Sequence, residues 1–243
     1  GSAIHQVLGD FGIQYPAALP DNLEQVLRDI GQIHFAPLMD RPEARALWWP
    51  RFLRIAGWFA GWERDRRLNV AAIDAETRGE IQIAAGERTF TLSGRADRIE
   101  KRSDRTFAIV DYKTGSPPTG KQVRLGLSPQ LTLEAAILRN GGFDGIDHGA
   151  SVSEIAYLRL SGNNPPGEER SLELKRDRQD PGIMPDQAAD EALQKLQERI
   201  IAFEDEAQSY DSLALPMWTN RYGDYDNLAR IKEWSIVRSE DLE

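Results

Sequence analysis

The stretch GRADRIEKRSDRTFAIVDYKTG, residues 94–115, holds two period-two runs separated by a charged turn. Alternation places Phe107, Ile109, Asp111 and Lys113 on one face of the second run and Ala108, Val110 and Tyr112 on the other. Both faces of Phe107-Ala108-Ile109-Val110 are apolar, which predicts a central strand covered on each side. Asp111 and Lys113 then emerge together where the core ends. An unpaired buried carboxylate or ammonium is costly, so this pair is either compensated or used. Asp97 stands fourteen residues before Asp111. A turn near Ser103-Asp104 sets the two carboxylates opposite each other or one diagonal step apart, roughly 4.5–5.5 Å or ~7–8 Å between Cβ atoms. Carboxylates that close repel unless a cation lies between them. Few protein oxygens with open positions suit Mg²⁺ or Mn²⁺, and a neighbouring lysine can steady a phosphate oxygen or an attacking water. An acid and an acid-x-Lys on adjacent strands is what metal-assisted phosphodiester hydrolysis requires. The alternative is a structural Asp–Lys ion pair at a sheet end.

Working outward, the spacing of Ile4, Val7, Leu8 and Phe11 predicts a first helix over 1–11. A second is expected over 21–36, with Asp21 as N-cap and Pro37 as its stop. A third, over 42–66, is rich in Trp, Phe and Arg, and Pro50 should kink or divide it. Strand patterns cover 68–73, 79–85, 88–100 and 105–112. Ser128-Pro129 should open a helix over 128–140. Strands over 150–160 and 170–175 follow, then an acidic amphipathic helix over 184–208. Residues 215–243 form an aromatic tail. This mixture predicts an α/β fold with a central mixed β-sheet flanked by helices, in a single domain 1–243, with 21–66 as a helical insertion after the first helix.

The chain has 243 residues, 40% of them hydrophobic, and no cysteine. Disulfides and thiolate-held zinc or iron–sulfur sites within the chain are thereby excluded. No apolar run approaches the ~18 residues of a membrane span. A net charge of −9 argues against general nucleic-acid binding by charge alone. The charge is uneven: residues 86–124 carry nine Lys/Arg against five Asp/Glu, and residues 177–211 carry three against ten. A local basic surface or a solvated charged hairpin would each fit that pattern.

Three motifs extend the reading: GSAIHQVL at 1–8, GRADRIE at 94–100 and SPQLTLEAAIL at 128–138, around IVDYKTG. In this order they resemble the PD-(D/E)xK nuclease superfamily, in its RecB-like branch. The helical region and the tail YGDYDNLARIKEWS are similar to the AddB-type nuclease domains of bacterial helicase–nucleases, in the alphaproteobacterial variety. The resemblance implies a restriction-endonuclease-like core within a longer protein. It implies Asp97 and Asp111 as metal-binding acids, His5 and the Tyr112 carbonyl as further ligands, Lys113 as the catalytic lysine, and Gln130 as the residue that orients the site. Relatives commonly carry a tyrosine four residues after that glutamine, and this chain has Glu134. Many also hold an iron–sulfur cluster through cysteines near the C-terminus. None is present here, so no cluster is expected, and Trp218, Tyr222, Tyr225, Leu228, Ile231 and Trp234 are expected to pin the tail by packing.

The function implied is a Mg²⁺- or Mn²⁺-dependent deoxyribonuclease in the bacterial cytoplasm, acting on single-stranded DNA beside an AddA-like helicase subunit, with no membrane partner. The alternatives are a catalytically silent module of such a complex and a stand-alone repair or defence nuclease. His34 and His148 are read as surface or loop residues. Arg95, Arg98, Lys121 and Arg124 are read as phosphate contacts or as ion-pair partners. Glu76 is read as a surface residue, with an extra acid of the metal site as the alternative. Trp48, Trp49, Phe52, Trp58, Phe59 and Trp62 are read as core or interface, with base stacking as the alternative.

Overall fold

The computed structural model describes residues 2–208. Residues up to Glu198 form one compact unit, and those from Arg199 onward belong to a second, described as far as Gln208. The elements are α1 (Ser2–Gln14), α2 (Leu23–Met39), α3 (Pro42–Arg66), β1 (Val70–Ala85), β2 (Arg88–Arg102), β3 (Phe107–Lys113), α4 (Gly120–Arg124), α5 (Gln130–Arg139), β4 (Val152–Leu160), β5 (Gly167–Ser171) and α6 (Pro185–Phe203). The strands form one sheet in the order β1-β2-β3-β4-β5. Every neighbouring pair is antiparallel except β3 and β4, which run parallel. Parallel neighbours need a crossover, and α4 and α5 supply it. The mixed sheet between helices is the restriction-endonuclease-like α/β arrangement that the sequence suggests.

Apolar alternation along the central strand feeds two separate cores. Val110 and Tyr112 join Ala156, Leu158 and Leu160 under α1, α2 and α3. Ile109 joins Ile99, Ile155 and Tyr157 under α5 and the first part of α6. Each fully buried large apolar side chain contributes ~1.5–3 kcal/mol, so β3 is anchored from both sides. Helices α2 and α3 fill the interval 21–66 and belong to the first core, with Leu27, Phe35, Phe52, Ile55 and Phe59 all buried. Five of the six aromatic residues weighed for base stacking are buried or packed against that core, and Trp48 is 41% exposed.

Several boundaries differ from the sequence expectation. Pro37 and Pro50 lie inside continuous helices. Pro37 sits in the last turn of α2, and Ile33, four residues earlier, is on the exposed side. Pro50 and Ala46 are likewise exposed, so water can satisfy the carbonyls that a proline leaves unpaired. Asn22 rather than Asp21 precedes α2, and α5 begins at Gln130 after Pro129, so Ser128 falls one residue too early to cap it. The patterns at 68–73 and 79–85 are one strand, because β1 pairs with β2 from Val70 to Ala85. The short α4 was not expected. Thr119 and Gln122 build its capping box, with Thr119 N donating to Gln122 Oε1 at 2.7 Å. Strand β5 starts at Gly167 instead of residue 170, where the Trp58 ring lies against a backbone that leaves no room for a Cβ. The tail 215–243, with its expected aromatic packing, lies outside the described residues.

A charged network ties α3 to the sheet. Arg98, 1% exposed, reaches Glu63 Oε2 and Glu100 Oε1 at 2.8 Å each, and both carboxylates are fully buried. Glu100 also receives Arg66 at 2.9 Å, and the Trp62 ring lies 5.2 Å from the Arg98 guanidinium. Removing one partner strands a charge inside. Arg98→Leu should therefore destabilise the protein by roughly 3–5 kcal/mol, read as the urea midpoint at unchanged slope. Lys101→Ala breaks the half-exposed pair with Asp74 at 3.3 Å and should cost less than about 1 kcal/mol.

Candidate active site

The β2–β3 ladder ends at Arg98↔Val110, which brings Asp97 level with Asp111. There Asp97 Oδ2 accepts a hydrogen bond from Tyr112 N at 2.8 Å. Of the two registers allowed by the fourteen-residue spacing, the directly opposed one is found. Asp111 is 2% exposed. Its Oδ1 accepts from Gln130 Nε2 at 2.6 Å, and the Lys113 ammonium lies 2.7 Å from Oδ2. Gln130, the first residue of α5, also accepts from Lys113 Nζ at 3.3 Å and donates to Glu134 Oε1 at 3.1 Å. Lys113 stands 5.7 Å from the ring centroid of Tyr157. Tyr157 comes from β4, where it pairs in register with Asp111.

Helix α1 supplies the other side. His5 Nδ1 is 3.4 Å from Asp97 Oδ2, and its ring meets Tyr112 edge-on at 6.1 Å. The structure therefore brings His5, Asp97, Asp111, Lys113 and Gln130 together, with the backbone of Tyr112 bound to Asp97.

Negative charge is in excess here. Burial, followed by repulsion from Asp97, pushes the Asp111 carboxyl above its usual range, although Lys113 and Gln130 oppose the shift. Burial pushes Glu134 up to about 8, with Asp111 and Asp97 adding to it. The Asp97 side chain holds the His5 imidazole above its ordinary value against desolvation.

Among the described residues, no three His, Asp or Glu side chains converge closely enough to hold an ion as they stand. The reason is local, since Asp97 is drawn to the Tyr112 amide and Asp111 to Lys113 and Gln130. The donor set nevertheless fits a hard divalent cation. It consists of carboxylates, one imidazole and backbone carbonyls. Glu134 Oε2 is buried with no hydrogen-bond partner, and Asp111 Oδ2 has an ion pair but no aligned hydrogen bond.

Other sequence readings resolve differently. Arg98 is sealed in the network behind the site, as an ion-pair partner of Glu63 and Glu100. Arg124 is bound to Glu191 at 2.6 Å. Lys121 is exposed. His34 is no loop residue: it lies on α2, with Nε2 2.6 Å from Asp10 Oδ2. His148 is exposed in a turn.

Glu76 departs most from expectation. It belongs to β1, next in the ladder between Ala75↔Arg98 and Thr77↔Ala96, which sets it across from Asp97. Its backbone φ is +53°, a left-handed conformation costing a non-glycine residue roughly 1–2 kcal/mol. A Cβ on Gly9 would come within 2.5 Å of Glu76 Cγ. Gly9 follows His5 by one helical turn, so the helix face that presents the histidine also leaves a notch for this glutamate. That spacing, visible in GSAIHQVLG, was the available sequence signal.

Comparison with known proteins identifies the family. The model of the PD-(D/E)XK nuclease superfamily matches residues 1–222. An uncharacterized protein of Rickettsia bellii is 31% identical over 163 residues, 67% of this chain and 19% of its own length. One of Rickettsia conorii is 32% identical over 147 residues, 59% of this chain and 18% of its own length. The chain thus spans about a fifth of the curated relatives it matches. A solved structure titled "Crystal structure of SSO0001" covers 82% of this chain and 84% of its own, with 10% identity and a TM-score of 0.33, too low to carry an argument. With its sheet, its paired acids and a match over most of its length, the chain belongs to the PD-(D/E)XK nuclease superfamily.

Proposed function

We propose that this chain is the nuclease domain of a RecB-like, AddB-type helicase–nuclease. It would be a Mg²⁺- or Mn²⁺-dependent deoxyribonuclease that shortens single-stranded DNA at broken ends for recombinational repair. The observation that carries the reading is the meeting of Asp97, Asp111, Lys113 and Gln130 at the end of β3 in a chain of this superfamily. The much longer relatives support a domain working inside a larger protein. The net charge of −9 supports delivery of the strand by an AddA-like helicase partner rather than capture by the domain itself.

Asp97, Asp111, the Tyr112 carbonyl and His5 would hold the cation. When bound, it supplies a water of lowered pKa and neutralises charge on the phosphate under attack. Lys113 stabilises the phosphate oxygen that gains charge. Gln130 aligns both sides of the site, since one amide accepts from Lys113 and donates to Asp111. Glu134, its carboxyl raised to about 8 by burial while no cation is bound, stands four residues after Gln130, where relatives place a phenol, and holds the Gln130 amide through Oε1.

Calorimetric titration of Mn²⁺ and Mg²⁺, with cleavage of fluorescent single-stranded DNA in the same buffers, tests the reading. Asp111→Asn should abolish both binding and cleavage. Lys113→Ala should keep the metal but lower kcat by about 10²–10³. A wild-type protein that binds neither ion at millimolar concentration would favour the silent module.

Glu134 makes a second expectation. Its folded value of about 8 lies above the ordinary glutamate value of 4.5, so the folded state holds the extra proton between those values. The contribution of Glu134 to the stability of the cation-free protein should accordingly be full below about pH 4.5 and be lost as pH rises towards 8. Glu134→Gln should flatten that decline in a pH series of thermal melts, at about 2–4 °C per kcal/mol.

A further inference from the structure

We propose that Glu76 is an additional carboxylate of the metal site, on the His5 side, and that Arg95 is its counter-ion while no cation is bound. The proposal rests on the nuclease reading and adds a ligand to it. Three observations place the carboxylate there. Glu76 stands across the β1–β2 ladder from Asp97. Its φ of +53° breaks the regular pleat at the residue of β1 that stands across from Asp97. Gly9 leaves the space its side chain occupies, one turn along α1 from His5.

The charges around Glu76 agree. Burial is the main cause that pushes its carboxyl above the ordinary range, and Asp97 and Asp10 add repulsion. His5 and Arg95 are the nearby groups that oppose it. Arg95 binds it twice, through Nη2 to Oε2 at 2.8 Å and through Nε to the Glu76 carbonyl at 3.2 Å. Arg95 is itself half exposed, with 54% of its side chain open. A cation that already neutralises Glu76 can therefore swing to solvent or to a phosphate when a metal takes its place. Its cross-strand partner is Arg78, directly opposite on β1. Like charges facing each other across a ladder repel, which favours release of Arg95 from the strand. A purely structural glutamate has no need of left-handed backbone, and a surface glutamate has no need of a notch in a helix. Oxygen ligands added to a hard-cation site raise its affinity through charge count, and that is the role this placement serves.

The test uses Glu76→Gln, Arg95→Ala and Asp111→Asn in the chain as it stands, with Mn²⁺ as probe. Each is followed by calorimetry and by melting temperature with and without the ion. Glu76→Gln should weaken Mn²⁺ binding by about tenfold or more, while the cation-free melting temperature is unchanged or higher. Arg95→Ala should leave Mn²⁺ affinity unchanged or tighter. Mn²⁺ affinity within twofold of wild type in Glu76→Gln overturns the proposal, as does an Arg95→Ala variant that loses affinity as Glu76→Gln does. If Asp111→Asn alone abolishes binding, the nuclease reading survives without this ligand. If wild type binds no Mn²⁺, both fall together.

Discussion

One hydrogen bond holds the site in place, from Tyr112 N to Asp97 Oδ2 at 2.8 Å. It sits where the β2–β3 ladder stops, and it replaces a backbone rung by a carboxylate. Slipping the hairpin by one residue would turn every side chain of β3 to the opposite core. Ile109 and Val110, each buried in a different core, forbid that slip. The same registry keeps Asp97 level with Asp111. The two cores thus hold the acids at a distance that like charges would not choose.

Gln130 depends on that arrangement in turn. It opens the helix that returns the chain to β4, and its amide bridges Asp111, Lys113 and Glu134. The crossover that makes β3 and β4 parallel therefore also delivers the amide that bridges these side chains. On the far face, the Arg98–Glu63–Glu100 network fixes α3 against β2 directly beside Asp97. A charged layer behind the site and a charged layer within it are separated only by the thickness of the sheet.

Much of this was legible in the sequence. The fourteen-residue spacing, the charged turn and the two apolar faces of Phe107–Val110 gave the central strand and the facing acids. What escaped shares a physical character, since it depends on partners distant along the chain. The burial of Arg98 cannot be read from its own strand, because its chief partner, Glu63, lies on a helix. Glu76 reads as peripheral in the sequence because the apolar alternation breaks where β1 only changes its backbone conformation. Pro37 reads as a helix end and Pro50 as a kink or division, but exposure of the preceding turn lets both helices continue. Gln122 capping Thr119 is local, yet α4 is too short for periodicity to reveal it.

The placement of His5 bears on how the protein assembles. It lies on the first helix, whereas Gln130 opens a helix more than half the chain away. Between them come both long strands of the hairpin and the whole of α2 and α3. Chains dominated by contacts between remote segments fold slowly, because loop closure precedes its reward. During synthesis the carboxylates emerge well before the amide that aligns them. A site built this way stays incomplete until the second core has closed, so the order of folding itself delays the assembly of its side chains.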